Sequence, residues 1–286
     1  MADTQPPPSG YIDPNFPNPN GPDDATIIIY GYTPSLAVAL LGSILFLLAL
    51  LLHTHQLLQH RTWYFVTVPL GILFEIVGYI FRTLSSRLDP YRVTFFVVQY
   101  FFIVVAPVFF AAGIYTVLSI LILRTGNNTS NKFSPLPPKV IVWVFVTCDV
   151  VATGVQVAGA ALIGVAESNR RDATTPNDIL LAGLAFQAFT FAVFIVLFAA
   201  FVVRARKVLF GVVGVGFVSA FAAAVVLVYV RVCFRLAETA EGLFGALNTH
   251  EVFFGCLEFA PVVAAIWVLG IWHPGRCIAG QVGNTD

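Results

Sequence analysis

Ionisable side chains recur inside long apolar stretches of this sequence, at spacings that return to one helix face. Glu75, Tyr79 and Arg82 lie four and three residues apart. Arg231, Arg235 and Glu238 repeat that pattern, while Asp149 and Gln156, and again Glu251 and Glu258, are seven apart. Gln99 and Tyr100 are adjacent in a third stretch, and Gln187 sits in another. An ionisable group at the centre of a membrane span costs about 2.5–3.5 kcal/mol on insertion scales. Facing lipid separately, these groups would cost on the order of 15 kcal/mol. Convergence into one interior network or cavity, in the outer half of the bundle, removes that cost. Carboxylates gathered there can seat a cationic head group, and guanidiniums can hold those carboxylates or a phosphate. Two readings remain open. One is a structural clamp, with interhelical bonds of about 0.6–2 kcal/mol each; the other is a ligand or substrate pathway, the default for intramembrane charge. For Gln187, and for Arg235 and Glu238 near a helix end, helix glue and snorkelling weigh more heavily.

The elements that must position these groups follow from composition. Of 286 residues, 58% are hydrophobic and 10% charged, and mean hydropathy is +0.86. Ordinary soluble domains carry roughly 25% charged residues, so a soluble enzyme is excluded. Fifteen basic residues balance fifteen acidic ones, and without a basic tract no nucleic-acid partner is expected. Four cysteines without paired spacing support neither a disulfide framework nor a thiolate zinc site. Apolar runs of spanning length cover about 34–53, 63–85, 92–123, 139–165, 179–203, 208–235 and 251–272. Backbone groups in lipid must be satisfied internally, so these are helices. The expected architecture is all-α, a polytopic membrane bundle of seven transmembrane helices over 34–276. A proline-rich tail, 1–33, precedes it and is expected to be disordered and extracellular, without the basic start of a signal peptide. A cytoplasmic tail, 277–286, follows.

Orientation rests on Lys and Arg. Arg61, Arg124, Lys132, Lys139, Arg204, Arg206, Lys207 and Arg276 fall on one side. Arg87, Arg92, Arg170 and Arg171 fall on the other, diluted by acids. The N-terminus is therefore expected outside and the C-terminus in the cytoplasm, with Trp63, Trp143 and Trp272 at cytoplasmic helix ends. The glycosylation sequons in Asn127-Asn128-Thr129-Ser130 then stay cytoplasmic and unmodified.

Several chemistries lack their residues. His53 and His55 are two apart and point to different helix faces, and all five histidines read as interfacial or loop residues. No Gly-x-Ser-x-Gly occurs, and Gly211, Gly214 and Gly216 precede no Lys-Ser/Thr, so they read as helix-packing residues. Pro69, Pro107 and Pro261 read as kinks. No cofactor motif and no nucleophile–base pair is found, so no enzyme is expected.

The set Tyr32-Thr33-Pro34, Glu75-Ile-Val-Gly78-Tyr79-Ile-Phe-Arg82, Gln99, Ala106-Pro107 and Tyr115 resembles the fungal lipid-translocating exporter family. That family includes aminocholesterol-resistance and sphingoid long-chain-base resistance proteins. The resemblance continues through Asp149, Gln156, Gly159, Gly183 and Gln187, then Arg231-Val-Cys-Phe-Arg235-Leu-Ala-Glu238 and Gly242. It ends with His250-Glu251 and His273-Pro274-Gly275 and covers about 30–276. One departure stands out: the family commonly has Asp in its last helix where this chain has Glu258. The resemblance implies a seven-helix protein of the plasma membrane or endomembranes, linked to lipid movement and to resistance against toxic amphiphiles.

The expected function is translocation of an amphiphile such as a sphingoid base. Its cationic head would rest on Glu75, Asp149, Glu251 or Glu258, and its chain on phenylalanine-rich walls. A seven-helix receptor with an outward pocket is the alternative, although helix 3 ends in Leu121-Ile122-Leu123-Arg124 without an Asp-Arg-Tyr-like triplet. An integral-membrane lipid enzyme is the third reading. The expected partners are membrane lipids or an amphiphilic small molecule; the sequence specifies no oligomeric state.

Overall fold

The computed structural model describes residues 11–16, 24–25, 27–125, 134–168, 174–242 and 245–279. The sequons, Lys132, Arg170, Arg171 and most of the C-terminal tail lie outside the described residues.

Helices α1 (Leu36–His60), α2 (Thr67–Arg87), α3 (Val93–Thr125) and α4 (Pro138–Ser168) match the first four apolar runs to within a few residues, apart from the later end of α1. A short 3-10 turn, Trp63–Phe65, leads into α2. α5 (Thr174–Glu241) holds 68 residues. Two short helices, α6 (Ala246–Thr249) and α7 (Glu251–Phe253), then lead into a π-helical segment, Phe254–Phe259. α8 (Ala260–Ile271) and α9 (Pro274–Ala279) are the last described elements. No strand occurs among the described residues, and six helices are long and apolar enough to cross a membrane.

The sequence pattern places a break at Arg204-Ala-Arg206-Lys207, and the structure moves it. Long basic side chains are good helix formers, and the helix runs straight through them. It breaks at Gly214, with φ +77° and ψ 153°, a region open to glycine almost alone. A straight helix of that length would reach about 100 Å. Instead the chain folds back: Phe191 stacks on Tyr229 at 5.9 Å and Phe198 meets Phe221 edge-on at 5.4 Å. Those pairings run in opposite order, so the two halves of α5 lie antiparallel. Of the three glycines read as packing residues, Gly216 is the one where an added Cβ would collide, 2.5 Å from the Trp272 ring.

α1 and the last helix run parallel. Ser35, before α1, donates its N–H to Glu251 (2.9 Å), while His53 meets the Ile266 carbonyl (3.1 Å) and Gln56 donates to that of Gly270 (2.9 Å). α1 directs Leu40, Leu41, Ile44, Leu47, Leu48 and Leu51 outward, and Trp63, Trp143 and Trp272 are exposed. Apolar residues thus form the outer surface while charge is buried, the inverse of a water-soluble fold.

The described part of the tail is not the disordered segment that its composition suggests. Ile28, Tyr30 and Tyr91 form a small buried cluster, packed by Phe16, Tyr32 and Phe96. The Tyr91 hydroxyl donates to the Phe16 carbonyl (2.7 Å), and Ala25 donates to that of Tyr91 (2.9 Å). Three aromatic anchors give this short strap a core that a count of prolines does not reveal.

Candidate functional site

Under the strap lies a chain of buried ionic contacts drawn from α2, α3, the second half of α5 and the last helix. Arg82 is 1% exposed and donates through Nη2 to Glu251 Oε1 and to the Tyr32 hydroxyl, both at 2.9 Å. The Phe254 ring lies 4.0 Å from its guanidinium carbon, with Tyr30 and Tyr32 within 6 Å. Tyr30 donates in turn to Gln99 Oε1. Burial pushes the Tyr30 hydroxyl up to about 12 and raises that of Tyr32. Both phenols therefore stay neutral at physiological pH and act through hydrogen bonding.

Deeper along α2, Arg231 donates to Glu258 Oε1 (2.5 Å) and to the Ile103 carbonyl (2.8 Å). Glu75 is buried beside this pair and feels the charges of both Arg231 and Glu258. Its Oε1 has no hydrogen-bond partner, and neither has Oε2 of Glu258. Tyr79 joins the two levels, interacting electrostatically with Glu75, Arg82, Glu258 and Arg231. One turn beyond Arg231, Arg235 binds Glu238 (2.6 Å) and lies 4.9 Å from the Tyr100 ring. Glu238 in turn senses Glu258 and Arg231.

The last helix owes its form here to Pro261. Proline has no N–H and its ring clashes with the carbonyl four residues back. The chain answers with the π turn Phe254–Phe259, which carries Glu258 into the interior. Close backbone approach completes the packing. A Cβ at Gly42 would stand 2.3 Å from the Tyr79 ring, and one at Gly78 would stand 2.6 Å from Ile103.

Ten of the thirteen residues singled out from sequence thus share this region: Glu75, Tyr79, Arg82, Gln99, Tyr100, Arg231, Arg235, Glu238, Glu251 and Glu258. The expectation of one convergence point fails for Asp149, Gln156 and Gln187. Asp149 accepts from Tyr115 (2.7 Å) within the Phe145, Phe191 and Phe194 rings, and Gln156 donates to Gln187 (2.9 Å). These residues are buried too, but they join α4 to α3 and to the first half of α5. Their helices tightly neighbour one another at Gly159, where a Cβ would come 2.6 Å from the Leu180 nitrogen.

Sequence reasoning missed two groups. Tyr30 and Tyr32 were hidden in the tail, although the Tyr32-Thr33-Pro34 signature pointed at the second. His53 and His273, read as interfacial or loop residues, are fully buried at the far end, with ring centroids 6.1 Å apart. His273 Nδ1 accepts from the Gly275 N–H, and its Nε2 lacks a partner, as does His53 Nδ1. Among the described residues no group of three or more His, Cys, Asp or Glu side chains is placed to hold a metal ion.

An open apolar groove of about 470 Å³ runs along the outside of α1 and α8, lined by Leu45, Phe259, Ala260, Val263, Ala264 and Trp267. Phe259 forms its inner wall and packs on Tyr79 (5.5 Å), so the groove backs onto the charged network.

Residues 68–281 match the family described as RTA1 like protein. The sphingoid long-chain base transporter RSB1 of Saccharomyces cerevisiae is 28% identical, with 88% of this chain and 74% of that protein aligned. A probable lipid transporter, atnI, of Emericella nidulans is 26% identical, over 88% of this chain and 69% of its own. Protoporphyrin uptake protein 1 of S. cerevisiae is 25% identical over 85% and 91%. No solved structure matches. The family match covers α2 through α9, and with it every helix that supplies the network: the chain belongs to the RTA1-like family.

Proposed function

We propose that this protein translocates amphiphilic lipids, sphingoid long-chain bases or related molecules, across a fungal plasma membrane or endomembrane. The observation that carries this reading is Glu75, a buried carboxylate with an unpartnered oxygen beside the Arg231–Glu258 pair. A purely structural clamp has no use for such an orphan, which carries a desolvation penalty of about 1–3 kcal/mol or more. The relatives named as lipid and sphingoid-base transporters support the same reading. An acyl tail would lie in the groove beside Phe259 while its head reaches the network. The role is translocation and not chemistry on the lipid.

The bundle has seven spans, the two halves of α5 each crossing once. The parallel course of α1 and the last helix supports an odd count, because helices that alternate direction are parallel only when an odd number of crossings lies between them. The strap and N-terminus face outside and the C-terminus the cytoplasm, in keeping with the excess of Lys and Arg near the far ends. The test is flipping of a fluorescent long-chain base in liposomes containing the purified protein. Faster flipping than in protein-free liposomes is expected; equal rates with folded protein would sink the proposal.

A further inference from the structure

The charges of the described network do not balance, and the imbalance sits on one residue. Glu251 has Arg82, Glu258 has Arg231 and Glu238 has Arg235. Glu75 has no cation of its own. It shares Arg231 with Glu258, which already holds that guanidinium at 2.5 Å. Two carboxylates and one guanidinium in a dry interior leave an uncompensated negative charge, and burying one is among the most costly arrangements a protein can hold. Resting on the translocation reading above, we propose that Glu75 is an exchange seat, occupied by a proton when empty of substrate and by the ammonium head of an amphiphile when loaded. Loading is balanced as follows. The carboxylic acid of Glu75 gives up its proton to water, the carboxylate so formed pairs with the arriving R–NH3+, and no other bond changes.

The surroundings fit this exchange. The unpartnered Oε1 of Glu75 can take one further hydrogen bond, and Oε2 of Glu258 can take another. An ammonium group has three donors and no acceptor. From α5 the group facing the seat is Arg231, from the π turn Glu258, and from α2 itself Tyr79. The titratable residues of α1 are His53, His55 and His60 near its far end, and those of α3 are Tyr100, Tyr115 and Arg124; the charges acting on Glu75 are those of Arg231 and Glu258. Nη2 of Arg231 is shared between Glu258 and the Ile103 carbonyl, while its Nε has no hydrogen-bond partner. Asp149, the other buried carboxylate of the spans without a basic partner, accepts from the Tyr115 hydroxyl through Oδ2 and also keeps an unpartnered oxygen, Oδ1, but no arginine or second carboxylate stands beside it among the described contacts.

The test is calorimetric binding of sphingosine and of its neutral N-acyl counterpart to the full chain in detergent, in buffers of different ionisation enthalpy, beside flipping assays in liposomes. The wild type is expected to release about one proton per sphingosine bound and none for the N-acyl compound. Glu75→Gln is expected to release none and to bind sphingosine at least about tenfold more weakly. Glu75→Asp is expected to restore proton release, which separates the seat from a folding defect. If the wild type flips sphingosine but binding releases no proton, or if release survives in Glu75→Gln and is lost in Asp149→Asn, the exchange seat is refuted while translocation stands. If the folded wild type neither binds nor flips any amphiphile, translocation falls and the seat with it.

Discussion

Arg82 donates to Glu251 across 169 residues of sequence, Nη2 to Oε1 at 2.9 Å, and the same nitrogen reaches the Tyr32 hydroxyl. One guanidinium thus ties α2 to the start of the last helix and to the strap. The contact joins three segments that no local pattern connects.

Removing one partner should therefore be costly. Breaking a buried ion pair costs about 3–5 kcal/mol, and the Glu251 side chain retains 22% exposure, which moves the expectation to the lower end. Arg82→Gln should lower the thermal unfolding midpoint in detergent clearly. Glu251 would keep only the Ser35 N–H. The double variant Arg82→Gln/Glu251→Gln should be less destabilised than the sum of the two single changes. Strict additivity would mean that the pair is not coupled.

The strap should loosen in acid. The Thr33 hydroxyl and the Asn15 N–H hold the Asp13 carboxyl below its usual range. A depressed folded value gives stability that is fully present above the unfolded value of about 3.9 and is lost as pH falls through the folded one. Exchange of the Ile28 amide, which donates to the Tyr11 carbonyl, should speed up below about pH 4 beyond its intrinsic acid dependence. Asp13→Asn should remove that extra pH dependence; persistence of the step would assign it elsewhere.

The break in α5 depends on backbone freedom alone. A Cβ at Gly214 meets nothing within 4 Å, yet φ is +77°. Gly214→Ala should cost about 1–3 kcal/mol by strain, read as lost yield of monodisperse protein and a lower unfolding midpoint. Gly154→Ala, equally open in space and inside α4, should be neutral or slightly stabilising. Equal behaviour of the two would refute the dihedral argument.

Gly159 presents the opposite case. Its conformation is ordinary, but a Cβ would lie 2.6 Å from the backbone nitrogen of Leu180. Gly159→Ala should force α4 from the first half of α5, at about 1–3 kcal/mol, and stretch the Gln156–Gln187 bond. Cysteine pairs placed across that contact should crosslink more slowly in the variant; an unchanged rate would show that the neighbour yields.

Much of this was legible because lipid makes burial of charge compulsory. Glu75, Arg82, Arg231 and Glu258 declared themselves by standing where apolar residues were expected. Their partners were not legible. Spacings of three, four and seven give a helix face, and a face does not say which neighbour it meets. Asp149 and Gln156 share that periodicity, yet they turn to Tyr115 and Gln187. The break at Gly214 was masked by Arg204, Arg206 and Lys207, whose polarity imitates a loop though their propensity is helical. His53 and His273 looked interfacial because hydropathy measures depth along the chain and not the packing of one helix on another.

A π turn accommodates one residue more than an α turn does. The helix before Phe254 is consequently out of phase with the helix after Phe259 by about one residue, roughly 100° of rotation. Glu251 and Glu258, which a regular helix would stack almost in line, answer instead to different arginines. Deleting a single residue from the Gly255–Leu257 stretch would let the helix run true, yet it would leave the two acids six residues apart, roughly 120° from alignment, each still turned toward its own arginine.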